Sequence, residues 1–441
     1  MANTPFHSPY DYGHHRVTVF SPSGRFNDLD ISLNVSEISF FEAINQPYVS
    51  GQIMIADSSN ISNHVNFMGQ EYIRIEMFTP ENTQFINKTF VVTGLERQAK
   101  ANDHASVLIL SFIEEHVIAS EITRISKTFE GKPEVVAATI LSEINKQTRF
   151  DTSFQDQLRY IAPYTHKPLD MAKELVSKAS TINGAPFYMY SSLYEDNMII
   201  ESLETMLAGA KVHPQTFNYG VASGNVEGLE INTAGRQIKT MSIANNEENT
   251  RMFKHGAFGS QYLWLDTNKT IPTELRYRYN EAIEKMPRIN GAINYDGSFT
   301  VNEKPFHEGV SDMMSKVTTC SLFDGIVSLD EQLVADDHMK RAEANALRAS
   351  LGKSQMDITV PGYHLMNESQ VTGRMIEVYV PKNVVVYDEN NREQVADKKL
   401  SGTYLVFGTR HQFKDTKYTA VMNITKYDNK KSLSQEQVNN V

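Results

Sequence analysis

Hydrophobic and polar positions alternate with a period of two over much of the chain, which is the pattern of half-buried strands. It starts at residue 17 (VTVF) and continues through residues 30–40, where Ile31, Leu33 and Val35 fall on one predicted face, and through residues 48–56. Hairpin-like stretches follow at 69–80 and 88–115, the second split by the polar turn at 100–104. Near residue 130 the period changes. Pro133 opens a run with Val136, Ile140 and Ile144 at i, i+4, i+8, and Pro168 opens a second helical run that Asn183 and Gly184 are expected to end. Residues 187–190 and 198–203 read as a strand pair.

Residues 226–232 and 237–244 return to a strand pattern. Residues 246–330 are the least regular, with a predicted helix at 274–286 and the single tryptophan, Trp264. A long helix is predicted from 334 to 351, with Asp336 and Asp337 in its first turn, alanines within it and Gly352 after it. Alternating strands fill 356–427 and a polar tail follows.

The two ends of the chain share one pattern. Residues 69–80 (GQEYIRIEMFTP) compare with 371–381 (VTGRMIEVYVP), 88–99 (KTFVVTGLERQA) with 402–413 (GTYLVFGTRHQF), and 106–112 (SVLILSF) with 419–425 (TAVMNIT). Each end thus carries strand and proline, loop, strand–Gly–strand, turn, strand in the same order. The internal glycines, Gly94 and Gly408, fit bulges or barrel corners. Two copies of one β-unit separated by insertions suit an assembly that imitates a higher symmetry than its subunit count.

With these residues in view, the chain resembles the baseplate hub proteins of contractile-tailed phages, related to the hub part of type VI secretion spike proteins. The resemblance covers residues 16–427 and includes the alanine-rich run 339–349 (MKRAEANALRA), the strands 356–362 and 373–378, the segment 400–407 (LSGTYLVF), the closing 418–425 (YTAVMNIT) and the helix after Pro168. It implies an α+β, mainly β fold: two related antiparallel β-barrel-like tube modules with two inserted smaller α+β domains. The expected division is an arm at 1–15, a first tube module at 16–125, an α+β insertion at 126–205, a discontinuous second module at 206–245 plus 331–428, a second insertion at 246–330 and a tail at 429–441. It further implies a homotrimer whose six modules form a ring between a sixfold tail tube protein and a threefold central spike protein, beside other baseplate proteins, with DNA only passing through the lumen. The location implied is the virion tail baseplate, after synthesis in the host bacterial cytoplasm. The chain ends soon after the second module, so the spike is expected to be a separate protein.

The chain has 441 residues, a length of about three domains at ~150 residues each. Hydrophobic residues make up 40%, enough for packed cores. The net charge is −11, from 53 acidic and 42 basic side chains, which argues against a dedicated nucleic-acid binder. On the wall of a channel such acidity would repel phosphates and let DNA slide; on an outer surface it would serve solubility. One cysteine, Cys320, supports neither an intrachain disulfide nor a cysteine zinc site. The first residues carry no basic and apolar leader, and no stretch approaches the ~18 apolar residues of a membrane helix, so a soluble protein made in a reducing compartment is expected.

Candidate chemistry is sparse. His7, His14 and His15 fall on the arm without a scaffold; His307-Glu308 lacks the second histidine of a zincin motif. Glu114-Glu115-His116 and Asp336-Asp337-His338 set acids beside histidine, the second at a helix start. Gly131-Lys132 and Gly352-Lys353 lack the upstream glycine of a P-loop. Tyr277, Tyr279 and Trp264 suit packing better than a sugar site. No catalytic, cofactor-binding or metal site is expected, and no enzyme activity. The alternatives are a virion-associated cell-wall or polysaccharide hydrolase, which needs a convergent acid pair, and a host-glycan binding protein.

Overall fold

The computed structural model describes residues 6–58, 61, 65, 67–102, 105–154, 157–209, 211–220, 231–245, 259–264, 273–278, 300–301, 303–305, 326–328, 333–351, 354–381, 396–397 and 399–427. In chain order its strands are β1 (His14–Phe20), β2 (Leu29–Asp30), β3 (Val35–Ala43), β4 (Ser50–Asp57), β5 (Tyr72–Phe78), β6 (Gln84–Asn102), β7 (Ala105–Ile113), β8 (Thr128–Gly131), β9 (Thr148–Phe150), β10 (Leu158–Ile161), β11 (Phe187–Tyr190), β12 (Met198–Ser202), β13 (Lys211–Tyr219), β14 (Gln237–Ile238), β15 (Thr240–Asn245), β16 (Gly259–Trp264), β17 (Thr273–Arg278), β18 (Thr300–Val301), β19 (Lys304–Pro305), β20 (Ile326–Ser328), β21 (Ser354–Pro361), β22 (Met375–Tyr379), β23 (Gly402–Lys414) and β24 (Lys417–Tyr427). Helices run over Glu115–Ile122, Pro133–Ser142, Pro168–Lys178, Leu203–Ala208, Ile231–Ala234 and Leu333–Leu351. The fold is α+β and mainly β.

One 14-stranded sheet dominates. Its ladders contain the same strand order twice: β3-β4-β7-β6-β5-β1-β2 from the first part of the chain, and β15-β21-β24-β23-β22-β13-β14 from the later parts. The four ladders from β3 to β5 and from β15 to β22 are all antiparallel. The sets diverge at one end, where β1 runs antiparallel to β5 but β13 runs parallel to β22. Both internal glycines sit at bulges: the register of β6 against β7 shifts between Val92 and Gly94, and that of β23 against β24 between Val406 and Gly408. β6 carries a second bulge between Leu95 and Arg97 that β23 lacks.

The two sets are joined edge to edge. Beyond Gly408, β23 leaves β22 and pairs antiparallel with β3, from Gly408↔Ala43 to Lys414↔Glu37. One apolar core runs beneath both sets, including Ile53, Phe90 and Phe112 from the first and Ile358, Tyr418 and Ile424 from the second. Aromatic rings bridge the join: Phe40 lies 6.0 Å from Phe413, which stacks on Tyr418 at 4.3 Å. Burial of such rings, at ~25 cal/mol per Å² of apolar surface, makes the two sets one energetic unit.

A second core holds the helices Pro133–Ser142 and Pro168–Lys178 against small sheets. Val136, Ile140 and Ile144 are all buried, as their spacing requires. The helix from Pro168 ends at Lys178, before the Asn183-Gly184 signal. β11 and β12 pair antiparallel, as the sequence pattern predicts. β20, from residues 326–328, pairs with β10, so a strand of the later region completes a sheet of the earlier insertion.

Three local expectations give way. Leu33 is fully exposed on the 3-10 turn Ser32–Asn34, while Ile31 is buried, so strand alternation breaks where the chain turns into β3. Ile231 and Asn232 begin a short helix instead of ending a strand. Residues 274–278 are the strand β17, paired with β16, rather than the start of a helix; residues 279–286 lie outside the described residues. The long helix Leu333–Leu351 is present.

Candidate functional site

The site of interest is the seam where β3 meets β23, because it decides how the two strand sets face each other. On one side of this ladder the side chains are charged. Glu37 accepts a hydrogen bond from Gln412 at 2.7 Å and lies 3.8 Å from both Arg410 and Lys414. Arg410 also sits over the Phe41 ring at 5.4 Å. These partly exposed pairs are worth well under ~1 kcal/mol each; their value is to fix register, since a one-residue slip would place Glu37 on the other face.

On the opposite side lies a closed polar chain. Glu42 and His411 are both fully buried, with Glu42 Oε1 3.4 Å from His411 Nε2. The other carboxylate oxygen accepts from the Leu193 amide at 2.6 Å. His411 Nδ1 is 2.7 Å from the Tyr418 hydroxyl, which is 2.9 Å from the Tyr194 hydroxyl. Burial alone would push the Glu42 carboxyl up. His411, Thr372 and the Leu193 N–H more than offset it and hold the group below the usual carboxylate range. Glu42 is therefore ionised. Glu42, His411 and Tyr418 are buried and Tyr194 is half-buried, and the chain of contacts links β3, β23, β24 and the 191–194 loop.

A second buried cluster docks the helical insertion on the first strand set. The Lys88 ammonium of β6 donates to the Ser192 carbonyl at 2.5 Å and to the Glu195 carbonyl at 2.8 Å. Glu114 lies 3.6 Å from Lys88 and 3.0 Å from Lys146, and accepts from the Val49 amide at 2.8 Å. Burial would raise the Glu114 carboxyl; Lys88, Lys146, His116 and the Val49 N–H together bring it down to about 2. Burial in turn pushes the Lys88 ammonium below its usual range. Its two carbonyl acceptors and the carboxylate keep it charged. His116 does not bond to Glu114. It donates from Nε2 to the Pro47 carbonyl at 2.9 Å, and burial holds it below the ordinary histidine value, in the neutral form. Glu115 accepts from the Tyr72 hydroxyl at 2.8 Å.

The other sequence-singled residues stay apart. Residues 6–13 form an arm laid on the second strand set, with the Tyr12 and Tyr418 amides bonded to the Thr416 and Tyr10 carbonyls. His14 and His15, however, are the first residues of β1. His15 is engaged by the Tyr12 hydroxyl and the Ser32 carbonyl, both at 3.1 Å, and His14 stacks on Phe78 at 4.5 Å. Tyr277 is fully buried against a core that includes Tyr188 and Leu347, which makes it a packing residue. Among the described residues no group of three or more His, Cys, Asp or Glu side chains is arranged to hold a metal ion. Cys320, His307, Glu308, Tyr279, Gly352 and Lys353 lie outside the described residues. Glu42, His411, Lys88 and Lys146 carry no sequence motif. For Glu42, Lys88 and His411 the local hint is a charged or polar residue at a core-facing position of an apolar strand; Lys146 lies in the connection before β9.

No protein-family model matches the sequence, and no curated protein matches it either. Solved structures do. A tail protein from Neisseria meningitidis MC58 superposes with a TM-score of 0.52 over 94% of this chain and 97% of its own, at 9% identity. The 43 kDa tail protein of prophage MuSo2 from Shewanella oneidensis gives 0.54 over 93% and 98%, also at 9% identity. Among the described residues no helix is long and apolar enough to cross a membrane. The strand order, the joined sets and these likenesses agree: this chain has the fold of phage tail proteins.

Proposed function

We propose that this protein is the structural hub of a contractile tail's baseplate. Three copies form a pseudo-sixfold ring that connects the sixfold tail tube to the threefold central spike and surrounds the DNA channel. The observation that carries this reading is the repeated seven-strand order with its matched glycine bulges. A chain that presents one unit twice lets three subunits offer six similar faces. The two tube modules are then residues 16–125 and 206–245 plus 331–428. The insertions at 126–205 and 246–330 meet the spike or neighbouring baseplate proteins, although the β10–β20 ladder ties parts of both insertions into one sheet. The polar clusters support a structural role rather than catalysis, since both are buried and committed to holding elements in place. The net charge of −11 suits a lumen that DNA crosses without sticking, because affinity for DNA comes from counterion release at basic groups.

Mass measurement in solution, together with electron microscopy, tests the proposal. A trimer showing six similar lobes is the expected result. A protein that stays monomeric at all concentrations, or that degrades cell-wall polymer, overturns it.

A further inference from the structure

The intramolecular join also specifies the contact between copies, an inference that rests on the ring reading. Matching the two sets ladder by ladder makes β23 the counterpart of β6 and β3 the counterpart of β15. Gly94 and Gly408 face Ser111 and Asn423; those residues face Gln52 and Asp357; and these face Ser39 and Ser242. Within the chain, the far half of β23 pairs with β3. The corresponding half of β6, residues 94–102, pairs only with β7 among the described residues, and β15 pairs only with β21. Among the described residues, one chain therefore uses this edge-to-edge contact once and leaves both of its halves without a partner strand. The open edges carry exposed apolar side chains, Leu95 on β6 at 37% and Ile243 on β15 at 43%.

The glycines make the same point independently. A Cβ at Gly408 would lie 3.1 Å from the Glu42 carbonyl oxygen and 3.2 Å from the Ala43 Cβ, so the close approach of β3 favours a residue without a side chain there. Gly94 has no left-handed backbone angle, and no described atom lies within 4 Å of its hypothetical Cβ. Apart from the bulge, no contact among the described residues calls for this glycine. A strand approaching β6 as β3 approaches β23 would favour it.

We infer that the open edge of β6 in one copy pairs antiparallel with β15 of a second copy of this chain, reproducing the β23–β3 join. The contact is head-to-tail, so it excludes a two-fold dimer and gives a ring where the rotation closes, as the ring reading requires. The register follows from the ladders. Leu95 faces Asn245 as Thr409 faces Glu42; after the extra bulge, Gln98 faces Ile243 as His411 faces Phe40. Arg97 falls at the position of Arg410, a basic residue that the β23–β3 seam already accommodates at its partly exposed face. The edge that natural proteins normally guard is here the one to be paired.

The test uses the full chain with Cys320→Ser. Gln98→Cys and Ile243→Cys in one chain, under mild oxidation, should give disulfide-linked dimers and trimers and no larger species on non-reducing gels, since directly opposed Cβ atoms lie within disulfide reach. Either cysteine alone should give none, and moving the first to Arg97 or Ala99 should lower the yield. Gly94→Val should keep the monomer's urea midpoint and weaken assembly by at least about tenfold. Should Gly94→Val disturb the fold, Ile243→Arg asks the same question from the exposed side of β15. Assembly of the parent protein with no cross-linking and with undiminished association of both variants overturns this pairing and leaves the ring reading standing. A parent protein that remains monomeric overturns both.

Discussion

The Lys88–Glu114–Lys146 cluster makes a demanding prediction, because it is the polar joint between the first strand set and the helical insertion. In Glu114→Gln the side chain keeps its shape and can still accept from the Val49 amide, but the charge that faces two ammonium groups is gone. Lys146 is 11% exposed and can turn toward water, whereas Lys88 is 6% exposed and fixed by the Ser192 and Glu195 carbonyls. One uncompensated buried charge therefore remains. Removing one partner of a buried pair costs ~3–5 kcal/mol; the two carbonyl acceptors that Lys88 retains set the expectation at the lower end, about 3 kcal/mol. Lys88→Met in the Glu114→Gln background removes the stranded charge and should recover a large part of the loss. The coupling between the two sites should then fall in the range of ~1–3 kcal/mol. Urea unfolding of the four proteins, followed by circular dichroism and by hydrogen exchange at 187–202, supplies the cycle. The insertion should lose protection before the main sheet does. If Glu114→Gln unfolds within ~0.5 kcal/mol of the parent and the two changes add, the cluster is not the joint described here.

The remaining predictions are simpler. Glu114 is held at about 2 against an ordinary carboxylate near ~4.3; a depressed acid contributes stability that is complete above the unfolded value and is lost as pH falls through the folded one. The stability difference between parent and Glu114→Gln should thus be full at pH 6 and shrink between about pH 4.3 and 2, read by urea midpoints across that range. Tyr418→Phe removes the hydroxyl between His411 and Tyr194 and should cost ~1–3 kcal/mol through two buried groups left short of a partner; a neutral midpoint counts against the polar clamp. Gly362→Ala would place a Cβ 1.9 Å from the Tyr418 ring, so it should lower the melting temperature sharply or abolish soluble expression, the cost of overpacking being ~1–3 kcal/mol or more.

Local order along the chain was legible wherever periodicity and punctuation agreed. The helices from Pro133 and Pro168, the β11–β12 pair and the bulges at Gly94 and Gly408 follow from residues within a few positions of each other. Leu33 fails because alternation alone does not report a 3-10 turn inside an apparently regular strand. Residues 274–278 fail because Leu275 and Tyr277, two positions apart between polar residues, follow strand alternation that the helical expectation for 274–286 passed over. The seam was out of reach for another reason. Ser39 and Arg410, 371 positions apart, meet because two whole strand sets share a core, and the polarity of Glu42 or His411 in isolation says nothing about which distant group answers it. The repeat provided the long-range information that single residues do not, since equivalent strands must have equivalent neighbours.

The β3–β23 ladder also has a consequence for biosynthesis. Ser39 of β3 and Arg410 of β23 are 371 positions apart, so at ~5–20 residues per second on the ribosome the edge of β3 waits on the order of half a minute for its partner. During that interval it is the same kind of edge that β15 presents among the described residues, and neighbouring nascent chains on one message carry identical strands. Synthesis of β23 removes that ambiguity, because β23 then occupies β3. The timing of translation thereby sets the interval in which pairing within the chain competes with pairing between copies.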